Sequence, residues 1–329
     1  MSYEYDLAGR RTAIVYPGGE RIQYTNDNAG RLLAIYNVTR NLVFQYTYNP
    51  VTGQLTRLTR PNGIETDYSY NGMGRVTNLL HKVTSTSALV AQYNYVLDPM
   101  GKAQLLTTTL PGGITKLEQY LYDSFDRLTN VVYGDYGVIN NTALSVSYGY
   151  DGNGNRMTMA TRTNNAVTEI RGYVYGNENR LLTVTNQNGV LLDSYNYDPA
   201  GNRIRKVATN KAVGYGYDER NLLTSYVDNT NQIAYTYNGD AQRVSKSLNG
   251  GLTSFIIDPI RGAYEVAQER NASGTVTASY ILGASRLATW NGTAITYDLT
   301  DRNGSVRLVT DASGRVLQRY DYDAFGAAR

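Results

Sequence analysis

One phrase is rewritten along most of this chain, and it commits the polypeptide to a repeat architecture. The phrase is a tyrosine, any residue, a second tyrosine and an Asp or Asn, followed by Gly and Arg. It reads Tyr3-Glu4-Tyr5-Asp6 to Gly9-Arg10, then Tyr68-Ser69-Tyr70-Asn71 to Gly74-Arg75. It returns as Tyr148-Gly149-Tyr150-Asp151 to Gly154-Asn155-Arg156 and as Tyr195-Asn196-Tyr197-Asp198 to Gly201-Asn202-Arg203. Looser copies start at Tyr24, Tyr46, Tyr93, Tyr120, Tyr173, Tyr215 and Tyr235, so the leading tyrosines recur eleven times, about 20 to 28 residues apart. A unit of this size cannot bury a core by itself and must lean on its neighbours.

Each unit reads as two strands and two turns. Strict alternation puts Ile64, Thr66, Tyr68 and Tyr70 on one face and Glu65, Asp67 and Ser69 on the other, which is the period of a strand. Pro61-Asn62-Gly63 precedes this strand and Asn71-Gly72-Met73-Gly74 follows it, both carrying turn residues. Pro17-Gly18-Gly19 and Pro111-Gly112-Gly113 repeat the first turn, while Asn188-Gly189, Asn238-Gly239, Asn249-Gly250 and Asn291-Gly292 are further hairpin signals. Helical periodicity is nearly absent. Extra residues around Ser85–Ala88 and Gly134–Thr142 are expected to lengthen hairpin loops, which costs little. The units give about 22 strands, or on the order of 100 Å of sheet at about 4.8 Å per strand. Twisted sheets rarely exceed about ten strands without curling or splitting, so a curved or spiral strip is expected.

Composition narrows the function classes. Tyrosine dominates the aromatics, 31 against 4 Phe and 1 Trp, and its polar tip suits half-wet β surfaces. A net charge of +3 without a run of one sign makes nucleic acid an unsuitable partner. With no cysteine there are neither disulfides nor thiolate metal sites. No apolar run approaches the roughly 20 residues of a membrane-spanning helix. Met1-Ser2 leads straight into a repeat without a signal peptide, and the last residues follow another Tyr-x-Tyr-Asp phrase without a cap. The expectation is a piece of something longer.

The residues that could carry chemistry have structural readings beside them. Paired tyrosines could stack on sugars, but their even recurrence favours a ladder of rings on neighbouring strands. The Asp or Asn after each pair is expected to cap its own turn. Arginines of the Gly-Arg slot are expected to make turn-side ion pairs or hydrogen bonds. Asp151-Gly152-Asn153-Gly154-Asn155 opens like a calcium loop, yet Arg156 and Arg162 stand where such a loop needs Gly and Glu. Asp98-Pro99 and Asp198-Pro199 sit in repeat turns, and Asp258-Pro259 in a degenerate one. His81 is the lone histidine and has no companion Ser or Cys motif. No cofactor or catalytic site is expected. The repeat positions singled out as structural are Tyr68, Tyr70, Gly74, Arg75, Tyr148, Tyr150, Asp151, Gly154, Tyr195, Tyr197, Asp198 and Gly201.

Beyond residue 250 the phrase decays, through Phe255-Ile256-Ile257-Asp258-Pro259 and Tyr280-Ile281-Leu282-Gly283. The pattern then becomes Asp301-Arg302-Asn303-Gly304-Ser305-Val306-Arg307 and closes with Tyr322-Asp323-Ala324-Phe325-Gly326. The Tyr-Asp phrase with its Gly-Arg resembles the YD repeat of RHS proteins, the group that includes bacterial polymorphic toxins, insecticidal toxin-complex components and animal teneurins. The tail is similar to the early part of the RHS-associated core. The likeness covers essentially the whole chain and, without cysteines, leans toward bacterial members. It implies an all-β fold in which tandem hairpins form a long strip that spirals into a hollow shell around a C-terminal effector, often a toxin. On this reading residues 1–250 are the repeats, and 251–329 are degenerate repeats with the start of the core. Partners would be the rest of the same polypeptide, its effector and plug, in a secreted or cell-surface protein. The self-cleavage element of the family is not matched here, so no protease activity carries over. The alternative is a surface module that binds glycan or a partner protein through exposed tyrosines.

Overall fold

The structure, a computed structural model, describes residues 1–135, 144–258 and 265–329. Most of the insertion expected around Gly134–Thr142, and Pro259, lie outside the described residues. Among the described residues there are 29 strands and one short 3-10 turn, Pro111–Gly113. Twenty-two strands end by Leu248, two for each of the eleven units, and seven more follow. The β-branched and aromatic alternation thus becomes an all-β fold.

Successive strands pair antiparallel, and direct pairing keeps equivalent residues on one face. Ile64–Tyr70 pairs with Val76–Val83, setting Thr66 opposite His81 and Tyr68 opposite Leu79. Val76–Val83 then pairs with Leu89–Leu97, setting Leu79 opposite Tyr93. The register slips by one residue just before the second tyrosine, between Ser69 and Tyr70, Gly149 and Tyr150, and Asn196 and Tyr197. This recurrent bulge re-aims the second ring, as bulges do.

Contacts divide the chain into two compact units, Met1–Lys116 with Ala278–Arg329, and Leu117–Thr277. The division follows packing rather than the decay of the repeat phrase near residue 250.

In the first unit the tyrosine-bearing face is a dry core. Ile14, Ile22, Ile35, Phe44, Leu58, Leu79 and Tyr93 are buried on it. Strands of the C-terminal segment cover that face, including Ile295–Thr300 and Val306–Thr310 with Tyr297, Leu299 and Leu308 buried. The Phe44 and Tyr297 rings meet at 6.0 Å. Two sheet faces interdigitating in this way are the ordinary route to a β core.

In the second unit the same face holds fewer buried side chains, among them Tyr148, Tyr173, Val184 and Val213. Ion pairs lie between them: Arg171–Glu169 at 2.6 Å, Lys206–Asp193 at 3.1 Å and Lys211–Asp228 at 2.7 Å.

Candidate functional site

The repeated turn is the most intensively bonded feature of the chain. After Tyr150 the backbone turns over Asp151, whose Oδ1 accepts from the N–H of Asn153 at 2.9 Å and of Asn155 at 2.8 Å. Asp198 likewise accepts from Asn202 N–H at 2.8 Å, and Asn71 from Met73 and Arg75 at 3.1 and 3.0 Å. The turn then needs one residue in the left-handed region, supplied by Gly74 (φ 76°), Gly154 (86°) and Gly201 (93°). Asp126, Asn179, Asn221 and Ala241 hold that conformation in other units, so the slot constrains backbone shape more than residue type. At Asn238-Gly239, the left-handed residue is Ala241 rather than the glycine.

Two classes of unit follow from where arginine falls. In the first it stands four residues after the Asp, as Arg10, Arg31 and Arg127 do. Arg10 donates from Nε to Asp6 at 2.7 Å and from Nη1 to the carbonyl of Asp27, in the next turn, at 2.8 Å. Arg127 repeats this with Asp123 at 2.7 Å and the Asp151 carbonyl at 2.9 Å. Arg75 reaches the Pro99 carbonyl at 2.6 Å, but faces the amide of Asn71 where the others face a carboxylate. The backbone N–H and guanidinium of Arg10 hold Asp6 below the usual carboxylate range.

In the second class the fourth residue is asparagine and arginine is fifth. Asn155 donates to Asp151 Oδ2 at 2.9 Å and to Asn179 of the following turn at 2.8 Å. Asn202 does the same with Asp198 at 2.9 Å and Asn221 at 2.8 Å. These side-chain bonds hold Asp151 and Asp198 low. The arginine in the fifth place lies against the rings. Arg156 lies 5.7 Å from the Tyr148 centroid and 4.6 Å from that of Tyr173. Arg203 spans Tyr195 and Tyr215 at 5.7 and 4.8 Å.

The expected ladder of tyrosine on tyrosine is therefore corrected. Guanidinium planes are interleaved between rings of successive units, because a unit's spacing across two strands leaves room for a flat cation. The second tyrosine has a separate task. Tyr70 donates its hydroxyl to the Leu55 carbonyl at 2.8 Å, Tyr150 to Leu128 at 2.7 Å and Tyr197 to Leu181 at 2.8 Å. Each acceptor is the first strand residue after the preceding turn, so every such bond ties one unit to the one before. This staple depends on the bulge, and the strand alternation alone gave no sign of it.

Sequence reasoning also passed over a buried polar chain in the first unit. His81 is fully buried in its strand. Its Nε2 donates to the Thr300 carbonyl at 3.2 Å, and its Nδ1 lies 2.8 Å from Thr66 Oγ1. Arg60 Nη1 donates to the same hydroxyl at 2.7 Å. Nearby, Asn62 donates to Thr310 and to the Asp311 carbonyl at 2.9 and 3.0 Å, and Lys116 meets Asp321 at 2.6 Å. Burial first, and then Arg60, pull the imidazole of His81 down to about 3. A histidine with these partners is a tie between sequence-distant strands. Among the described residues no group of three or more His, Cys, Asp or Glu could hold a metal ion. The carboxylate of Asp151 is surrounded by donors, the opposite of what a cation needs.

These staples identify a tandem hairpin array, and comparison with known proteins assigns it. The family described as the teneurin YD-shell matches residues 1–100 and 63–328. The chain belongs to the YD-shell family. The tRNA3(Ser)-specific nuclease WapA of Bacillus spizizenii is 29% identical over 187 residues, 55% of this chain and 7% of that protein. Double-stranded DNA deaminase toxin A of Burkholderia cenocepacia is 23% identical over 79% of this chain and 17% of its own length. The chain thus spans less than a fifth of each of these relatives. Among solved structures, the TcdB2-TccC3-Cdc42 crystal structure superposes with a TM-score of 0.74 at 16% identity, over 99% of this chain and 18% of that one. TcdB2-TccC3 without its hypervariable C-terminal region gives 0.71 at 15% identity, again over 99% of this chain and 18% of that one. These likenesses show the fold. The RHS/YD-repeat membership expected from the Tyr-Asp phrase holds.

Proposed function

We propose that this YD-shell chain is wall material of an RHS-type container, a strip that curves into a hollow shell and sequesters a C-terminal effector without chemistry of its own. The observation that carries this reading is where the reactive-looking side chains spend their bonding capacity. The carboxylates of Asp6, Asp123, Asp151 and Asp198 cap their turns, the arginines bridge turns or rings, and the second tyrosines, Tyr70, Tyr150 and Tyr197, bond backbone through their hydroxyls. A tRNA nuclease and a DNA deaminase toxin among its relatives support the container, whose full form would be a secreted or cell-surface protein with the effector and plug as intramolecular partners. Repeats over 1–250 and a degenerate stretch over 251–329 remain the proposed division of the wall.

Glycan recognition through exposed tyrosines is the weaker reading. The rings such a site would use already carry cations, as Tyr150 does with Arg127 at 4.9 Å. Limited proteolysis of the longer polypeptide that contains this chain tests the container. The effector should survive a protease dose that degrades it once separated. Equal degradation in both forms contradicts a container, and a micromolar glycan ligand lost on changing Tyr150 to Ala would favour the binding module.

A further inference from the structure

The first unit is closed by one segment lying on another, and among the ties between them is the lone histidine. Residues 278–329 cover 1–116, and His81 meets Thr300 at the junction. A carbonyl can only accept, so His81 Nε2 must carry hydrogen. The neutral ring then presents Nδ1 as an acceptor, and the Thr66 hydroxyl must be its donor. That hydroxyl in turn accepts from Arg60. Every hydrogen in the chain Arg60, Thr66, His81, Thr300 is committed in one direction.

A proton added to Nδ1 has no acceptor prepared for it. Thr66 would have to receive two donors and leave its own hydrogen unbonded. The imidazolium would also stand one hydroxyl away from Arg60, itself buried. Among the described residues no carboxylate lies within ion-pair distance of Arg60, Asp298 acts on it only from farther off, and its Nε has no hydrogen-bond partner. The other groups around the ring offer no rescue. Tyr93 faces it edge-on at 5.7 Å. In the covering segment, Asp298 is bound to Arg286 at 2.6 Å, and Asp301 faces Arg307 at 3.7 Å. Burial, the largest influence on it, pushes the Asp301 carboxyl up, and its bonds go to Arg307 and to the backbone N–H groups of Asn303 and Ser305 rather than to the imidazole.

We propose that the His81 junction makes the docking of residues 278–329 on 1–116 acid-labile, a proton-operated release built into the first unit. Burial, and then Arg60, hold the folded imidazole near 3, below its ordinary value of 6.5. A depressed histidine contributes stability that is present above the unfolded value and is lost as pH falls from about 6.5 toward 3. Over that window one proton is taken up on opening, which raises the opening constant about tenfold per pH unit. A cell-surface or secreted container would hold at neutral pH and loosen in acid.

The chain supplies its own probes. Trp290, the one tryptophan, lies in the covering segment with Arg40 at 3.9 Å, and His81 is the one histidine. Urea unfolding of the full chain, followed by Trp290 fluorescence from pH 8 to 4.5, should be compared with His81→Gln. The glutamine amide can donate to Thr300 but does not titrate. Below pH 6.5 the unfolding constant of the natural chain should rise about tenfold per pH unit relative to the variant. Coincident pH profiles would overturn the proposal. Should His81→Gln fail to fold, the proton resonances of the lone imidazole decide. They should not titrate while Trp290 stays native, and a folded-state titration near 6.5 would refute the release.

Discussion

The two compact units use one repeat in two environments. In the first, the tyrosine face is covered, and Ile14, Ile35, Phe44 and Leu299 are wholly removed from solvent. In the second, the same face carries Glu169, Arg171, Asp193, Lys206, Lys211 and Asp228 as neighbouring ion pairs. The hairpins, bulges and staples are shared. A YD repeat is therefore held by its turns and its ties to adjacent units, and a dry core is an addition that one region makes. The terms differ in size. Burying an aliphatic or aromatic side chain is worth about 1.5–3 kcal/mol, a net hydrogen bond about 0.5–1.5 kcal/mol and an exposed ion pair about 0–1 kcal/mol.

The largest expected contrast is between two aromatic truncations. Phe44→Ala, which empties the space against Tyr297, should destabilise by about 3–5 kcal/mol in chemical unfolding. Tyr173→Ala, whose ring is shared with Arg156 in the second unit, should cost less than half as much. Equal losses would mean that the second unit is as well packed as the first.

The turn substitutions come next and should act alike in both units. Gly74→Val, Gly154→Val and Gly201→Val place a β-branched residue at positive φ and should each cost about 1–3 kcal/mol. A Cβ at Gly154 would meet nothing within 4 Å, whereas one at Gly201 would meet Arg180 at 3.0 Å. Gly154→Val thus isolates backbone strain, and Gly201→Val should be the costlier of the two. Conversely, Ala241→Gly should raise stability by relieving the same strain, read as a higher melting temperature.

The staple is smaller still. Tyr70→Phe and Tyr197→Phe each remove one hydroxyl bond and should cost about 0.5–1.5 kcal/mol, the same in the two units. An unchanged unfolding midpoint for both would show that the bulge does not serve the hydroxyl. The smallest effect is a gain. Asn71→Asp supplies the carboxylate that Arg75 lacks, and should raise the melting temperature slightly. Because Asp6 is held low by Arg10 in the equivalent turn, the gain should be present at neutral pH and vanish as the new carboxylate protonates in acid.

Much of the local structure was legible in the chain. Period-two alternation at Ile64–Tyr70 and the turn residues around it give the strands, the hairpins and the tally of twenty-two strands before residue 250. The capping Asp and the left-handed glycine were readable because both act within a few residues. What could not be read acts across strands. Whether Arg156 meets a carboxylate or a ring depends on the spacing between units, and whether His81 is exposed depends on residues more than 200 positions away. Periodicity reports a strand's own two faces and is blind to what covers either one.

Native-state hydrogen exchange by mass spectrometry tests the central contrast most directly. Peptides from Ile35 to Tyr95 and from Tyr280 to Thr310 should be protected together, exchanging at least about tenfold more slowly than those from Tyr148 to Leu248, because opening the covered face exposes a shared core. Uniform protection along the chain, or slower exchange between Tyr148 and Leu248, would contradict the account.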